Sequence, residues 1–334
     1  MARRGRTRRI LTTALAIVVV LGLASPAVAA DQVGTSFPAD FPVINDASLG
    51  VPVIGFGAAG RVRHTPVIFL HGNNDTPFPI PLCNPFGYIH SMAQFFADHG
   101  YAASELWGLG YQGDQCDLIT QPTNRSSGAH STVANIPDLR RFVHAVLDYT
   151  GARQVDIVGH SLGVTLARTW LRTDDAFHLV RRLVAIDGPN HGIINCSPSP
   201  ANFYQLPANG GFTPDSAICL EYGSDNTPVI RLMNGDHPHE AQPPTRYLVI
   251  RNADTSFVYF PRQDGPFPPV PAQDREGNPH DFSQSARIEG AREIDLTGQG
   301  VFDGVLHSSH LGILNSPDTW QSAFDFLSGG PGRR

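Results

Sequence analysis

Apolar positions along the chain follow two rhythms. Apolar runs occur at residues 66–70, 183–186 and 247–250, and a fourth, at 155–158, is interrupted only by Asp156. Runs this short and this continuous fit strands buried on both faces. Weaker strand signals lie at 51–54, at 102–107 and at 293–296. Between them the spacing changes to the helical period. Ile136, Leu139, Phe142, Val143, Val146 and Leu147 share one helical face, and Gly151 ends that helix. Further helices are predicted over 91–99, stopped by Gly100, over 164–171, and after Ser316-Pro317, with Ser as N-cap and Pro at the first position. Strands alternating with helices predict an α/β fold with a mostly parallel sheet covered on both faces. Residues 108–131 are polar and Gly-rich and read as surface loop, and 260–285 read as a Pro-rich loop. The irregular stretch around 193–245 carries two cysteines and reads as a cap inserted into a single domain spanning 31–334. No internal repeat is present.

The first thirty residues stand outside this pattern. Arg3, Arg4, Arg6, Arg8 and Arg9 precede an apolar run at 10–23, and Ala27-Val28-Ala29 supplies small residues for cleavage. This is the layout of a secretory signal covering 1–30, and the run is too short for a membrane anchor. The protein is therefore expected to be secreted. Removing five arginines and no acids makes the formal charge of −6 five units more negative. Such a chain is not expected to bind nucleic acid or an anionic membrane. Every basic residue among the Lys and Arg is arginine.

An even number of cysteines in a secreted chain predicts disulfides. Cys83–Cys116 and Cys196–Cys219 each close a local loop and are the expected pairs among three possible pairings. Their wide spacing, with no Cys-x-x-Cys, argues against a metal site. No cofactor is expected, and the protein is expected to act as a monomer.

The candidate chemistry lies at Val158-Gly159-His160-Ser161-Leu162-Gly163. Gly-x-Ser-x-Gly alone is a weak signal. Here it follows an apolar strand and opens a helical pattern, which is the context of a nucleophile elbow. Without Cβ atoms, Gly159 and Gly163 let strand and helix pass close beside Ser161. A serine hydroxyl needs a base, and the base needs a third group to hold it. With the order serine, acid, histidine, the base lies late in the chain. His307 and His310 both qualify, with His280 as a more distant third. The acid is expected after the strand at 247–250, which favours Asp254. Asp187, at the end of the strand after the elbow, is the runner-up, and Asp264 is third. Backbone donors for an oxyanion are expected at Leu162 and at Asn73, in the loop leaving the strand at 66–70. His71, His160 and His191, each in a Gly-containing turn, read as structural residues that hydrogen-bond backbone.

Leu70-His71-Gly72-Asn73, the Ser161 box, and His310-Leu311-Gly312-Ile313-Leu314 together resemble secreted bacterial lipases of the α/β-hydrolase superfamily. In those lipases the catalytic histidine precedes a similar apolar-Gly-Leu-Leu run, so the resemblance favours His310 over His307. The stretch from Thr65 to Cys196 is also similar to the extracellular polyhydroxybutyrate depolymerases of the Paucimonas lemoignei type. It shares their His-Gly-Asn opening, the strand Gln154-Val155-Asp156-Ile157-Val158, and Gly163-Val164. Gly159, where the depolymerases carry alanine, marks a departure. The resemblance implies an α/β-hydrolase fold and ester hydrolysis through Ser161, His310 and Asp254, with Asn73 and Leu162 at the oxyanion. It implies an acylglycerol, small ester or polyester as substrate. Pro77, Phe78, Pro79, Ile80, Pro81, Phe86 and Tyr88 form an apolar, Pro-stiffened loop suited either to a lipid or polymer surface or to packing beneath the cap.

Overall fold

The computed structural model describes residues 32–45, 53–73, 75–77, 88–111, 130–235, 239–255, 258, 269–304 and 307–329. The signal segment, Cys83, Cys116, Asp264 and residues 78–87 of the apolar loop lie outside the described residues.

Among the described residues, seven strands form one sheet: β1 (Ile54–Phe56), β2 (Val67–Leu70), β3 (Leu106–Gly110), β4 (Val155–His160), β5 (Val180–Ile186), β6 (Arg246–Arg251) and β7 (Arg292–Asp295). Their spatial order is β1-β3-β2-β4-β5-β6-β7, and only the β1–β3 pair is antiparallel. The helices are α1 (Tyr88–Asp98), α2 (Ile136–Thr150), α3 (Leu162–Asp174), α4 (Ala217–Tyr222), α5 (Pro228–Asn234), α6 (Ser309–Gly312) and α7 (Pro317–Ser328). This is a mostly parallel α/β sheet with helices on both faces. One face is covered by α2 and α3 through Leu139, Phe142, Leu166 and Trp170. The other is covered by α1 and α7 through Phe96, Met92, Ala323 and Leu327. Each of these side chains is removed almost completely from water, and such burial stabilises by about 1.5–3 kcal/mol for a large aliphatic or aromatic group.

Local signals explain most boundaries. Gly151 takes φ 69° and ends α2, and Gly329 takes φ 80° and ends α7. Ser316 stands at the N-cap of α7 with Pro317 at its first position, although the Ser316 side chain makes no capping hydrogen bond. Two expectations need correction. The strand expected at 102–107 starts later, at Leu106, because Ala103–Glu105 turn as a 3₁₀ segment and the Glu105 carboxylate accepts the Ala102 N–H at 2.8 Å. It also runs further, through Gly108 and Gly110, which read as loop. A Cβ on Gly108 would lie 2.3 Å from the Phe56 ring, so glycine here lets β1 pair closely. The first strand is likewise displaced, to 54–56.

The stretch after β5 leaves the sheet and builds a third apolar cluster from Ile193, Ile194, Phe212, Ile218, Tyr222, Ile230 and Met233. Phe282 and Ala286, from before β7, complete it. Leu162, the residue after the Gly-x-Ser serine, packs into the same cluster. Cys196 and Cys219 form a disulfide within it, with Cα atoms 5.5 Å apart. The bridge spans 23 residues of sequence, and a loop of that length limits the unfolded chain by about 3 kcal/mol in the chain-entropy account. Replacing both cysteines by serine is expected to lower unfolding free energy in urea by about that amount. A loss under about 0.5 kcal/mol would mean that the bridge adds nothing to the apolar cluster around it.

Candidate active site

The site begins with strand register. β4 and β5 run parallel with His160 beside Ile186, so the next residue of each, Ser161 and Asp187, leaves the sheet at the same edge. The Ser161 N–H donates to the Ile186 carbonyl at 3.0 Å, and the Asp187 N–H donates to the Ile250 carbonyl at 2.9 Å. Both residues then turn with positive φ, 54° at Ser161 and 49° at Asp187. Ser161 has ψ −125°, a conformation costly for any residue with a Cβ. Dense backbone crossing imposes it. A Cβ on Gly159 would lie 2.9 Å from the Gly163 carbonyl carbon, and one on Gly163 would lie 2.5 Å from the Leu70 carbonyl oxygen. Ser161 occupies the N-cap of α3 without making a capping hydrogen bond, and its hydroxyl faces elsewhere.

It faces His310. The imidazole Nε2 lies 3.0 Å from Ser161 Oγ, and Nδ1 lies 2.7 Å from Asp187 Oδ2. Ser161, His310 and Asp187 are 7 %, 3 % and 0 % exposed, so bulk water scarcely competes for these bonds. Asp187 is held from its other oxygen, where Oδ1 accepts the Asn252 N–H at 3.1 Å. Burial raises the Asp187 carboxyl well above the usual carboxylate range, opposed by that N–H and by the Arg251 charge. Burial also lowers the His310 imidazole to about 3. Nδ1 and Asp187 Oδ2 are close enough for one proton to bridge them. Placing it on Nδ1 leaves a single negative charge, which the Asn252 N–H and Arg251 meet. Nε2 is then a neutral acceptor directed at the serine hydroxyl.

His310 is also held by its main chain. It sits in the short α6, where the Ser309 N–H donates to the Thr255 carbonyl at 2.8 Å. A Cβ on Gly312 would lie 2.4 Å from the Phe302 carbonyl carbon, so glycine permits α6 to lie against residues 302–303. The buried His160 ring lies 4.7 Å from the His310 ring, and its Nε2 donates to the His310 carbonyl at 2.9 Å. His160 therefore hydrogen-bonds backbone, and that backbone belongs to the residue beside Ser161 Oγ.

Asp254 requires correction. It is half-buried, its two carboxylate oxygens accept the Gly298 N–H at 3.0 and 2.9 Å, and its own N–H donates to Asn252 Oδ1. Asp187 occupies the place beside His310 instead. The physical reason is register, because β5 is the immediate neighbour of β4 while Asp254 lies beyond β6, turned toward β7. His307 is exposed and stacks on Phe302 with ring centres 4.1 Å apart. The His280 Nε2 donates to the His191 carbonyl at 3.0 Å. On the opposite side of Ser161, a Cβ on Gly72 would lie 3.0 Å from Ser161 Cβ and 3.5 Å from Oγ, so the loop carrying Asn73 passes directly against the serine. Leu162 opens α3, where the helix dipole favours negative charge. Among the described residues no group of three His, Cys, Asp or Glu side chains has the arrangement of a metal site.

Comparison with known proteins gives one family and a set of distant structures. The family described as Lipase (class 2) matches residues 64–219, just under half of the chain. The Bacillus licheniformis lipase BlEst2 in its mature form is 16 % identical, covering 82 % of this chain and 97 % of that one, with a TM-score of 0.48. Aspergillus fumigatus lipase B is 15 % identical over 90 % of this chain and 57 % of its own, with a TM-score of 0.47. The carboxylesterase CesB from Bacillus subtilis is 11 % identical, covering 89 % and 92 %, with a TM-score of 0.42.

Four residues beyond Asp187, the His191 ring bridges two carboxylates, with Nδ1 3.1 Å from Asp225 and Nε2 3.3 Å from Glu240. It lines a cleft of about 760 Å³ with Asp225, Glu240, His280, Arg287 and Glu293, to which Ser161, His310 and Asp187 do not contribute. Burial alone would lower the His191 pKa, but the hydrogen bonds to Asp225 and Glu240 outweigh it and raise it to about 9. A folded-state pKa above the unfolded value near 6.5 means that the bridge stabilises fully below pH ~6.5 and fades as pH rises through about 9. The stability difference between wild type and His191→Gln should therefore be constant below pH ~6.5 and shrink toward pH 9–10 in denaturant titrations. A difference that grows with pH would contradict this reading.

Proposed function

We propose that this chain, a carboxylic ester hydrolase by its α/β-hydrolase fold and its match to class 2 lipases, works through Ser161, His310 and Asp187. One observation carries the reading: a single imidazole spans Ser161 Oγ and Asp187 Oδ2 at 3.0 and 2.7 Å, beside a serine held in strained backbone. Ser161 Oγ attacks the ester carbonyl while its proton passes to His310 Nε2. Asp187 stabilises the resulting imidazolium through Nδ1–H. The N–H groups of Leu162 and Asn73 receive the oxyanion. The tetrahedral species collapses, His310 returns the proton to the leaving alcohol, and an acyl-Ser161 remains. Water, deprotonated by the same Nε2, then attacks the acyl carbonyl; the second tetrahedral species collapses, Nε2 returns the proton to Ser161 Oγ, and the acid is released. The chain's own groups account for every proton in this cycle.

The substrates we assign are acylglycerols and simple carboxylic esters, a choice that rests on the class 2 lipase match. We assign the enzyme to the extracellular space on the arginine-led apolar segment at 1–30, and the Cys196–Cys219 bridge supports this.

Turnover of a p-nitrophenyl ester tests these roles. Ser161→Ala should reduce kcat at least 10³-fold. Asp187→Asn should reduce it by about 10³–10⁴-fold, because the amide favours the wrong imidazole tautomer. Asp254→Asn should stay within about threefold of wild type, since its contacts serve a turn. Activity of Ser161→Ala within tenfold of wild type would end the reading. Loss of activity in Asp254→Asn with Asp187→Asn unaffected would return the acid role to Asp254.

A further inference from the structure

Outside the triad, two side chains act on the loop that faces Ser161. His71 is fully buried, and its Nδ1 donates to the carbonyl of the next residue, Gly72, at 2.7 Å. A carbonyl can only accept, so the proton sits on Nδ1. Burial lowers the ring to about 4 and keeps it neutral, against the opposing backbone hydrogen bonds to Gly72 and Tyr111. Tyr111, just past β3 and also fully buried, lies flat on this imidazole, with ring centres 4.3 Å apart and planes 4° apart. Its hydroxyl donates to the His71 carbonyl at 2.6 Å. Two consecutive carbonyls of the loop are thus tied to two stacked side chains.

A trans peptide unit is planar, with its C=O and N–H on opposite sides. Fixing the Gly72 carbonyl toward the His71 ring turns the N–H of the same unit, which is that of Asn73, the other way. Fixing the His71 carbonyl toward Tyr111 does the same for the Gly72 N–H. The loop has no freedom to answer by shifting, because Gly72 already abuts Ser161 and Gly163 abuts the His71 carbonyl. We propose that His71 and Tyr111 are positioning residues that aim the Asn73 amide at the oxyanion. The inference rests on the ester-hydrolase reading above and adds residues that touch neither substrate nor triad.

Kinetics of folded variants with a p-nitrophenyl ester, together with inhibition by phenylboronic acid, test it. The boronic acid is bound by serine as a tetrahedral anion and so probes the oxyanion donors. His71→Leu should lower kcat by roughly 30–300-fold with KM within threefold, and should weaken boronic acid inhibition by a similar factor. His71→Asn, whose amide nitrogen can donate to the Gly72 carbonyl, should return kcat to within about tenfold of wild type. Tyr111→Phe keeps the stack, loses one hydrogen bond, and should cost about tenfold. Wild-type kcat in folded His71→Leu overturns the proposal, and so does an Asn variant no better than the Leu variant. If His71→Leu fails to fold, Tyr111→Phe decides, and a kcat within twofold of wild type overturns it. Each of these results leaves the ester-hydrolase reading intact, whereas an active Ser161→Ala removes that reading first.

Discussion

The parallel pairing of β4 with β5 is the constraint on which the rest of the structure depends. With His160 set beside Ile186, the two chains turn out of the sheet at neighbouring points, and one carries a hydroxyl and the other a carboxylate. A late histidine then has one place to stand. The flanking β2 is fully buried and β6 is buried except for Arg246, so a slip of one residue would send each side chain to the opposite face and disrupt the packing of both cores. The hydrophobic cores that stabilise the fold therefore also specify the geometry of the site.

Close backbone approach is the second requirement, and glycine supplies it. At Gly72, Gly159, Gly163 and Gly312 an added Cβ would meet neighbouring atoms at 3.0 Å or less. Those contacts bring the loop after β2, the elbow and α6 around Ser161. Burial does the electrostatic work. It strips water from His310 and Asp187, lowers the imidazole and raises the carboxyl, and makes each remaining hydrogen bond to that pair count for more. His160 and His71 extend the arrangement outward, one bonded to the His310 carbonyl and the other to the loop opposite.

The parts legible in the sequence share a physical cause. Apolar runs, interrupted in β4 only by Asp156, mark β2, β4, β5 and β6, because strands buried on both faces leave little room for polar alternation. The elbow is readable because strand, Gly-x-Ser-x-Gly and helix adjoin in sequence as they do in space. The carboxylate beside His310 is different. Asp187 and Asp254 each follow an apolar strand, and both satisfy the order serine, acid, histidine. Choosing between them requires knowing which strand lies next to β4, a long-range fact with no local signature. β3 shows the same limit: Gly108 and Gly110 look like loop until β1 is laid against them. Nor does the sequence reveal that His71 and Tyr111, 40 residues apart, stack face to face.

The central claim is that one imidazole joins Ser161 to Asp187, with the shared proton on Nδ1. Proton NMR of the resting enzyme reads that proton directly, because a buried Nδ1–H bonded to a carboxylate resonates far downfield of ordinary amides. The account predicts a downfield resonance in wild type and in Asp254→Asn that is absent from Asp187→Asn and from His310→Gln. A signal that survives in folded Asp187→Asn, or one that disappears in folded Asp254→Asn, would contradict it.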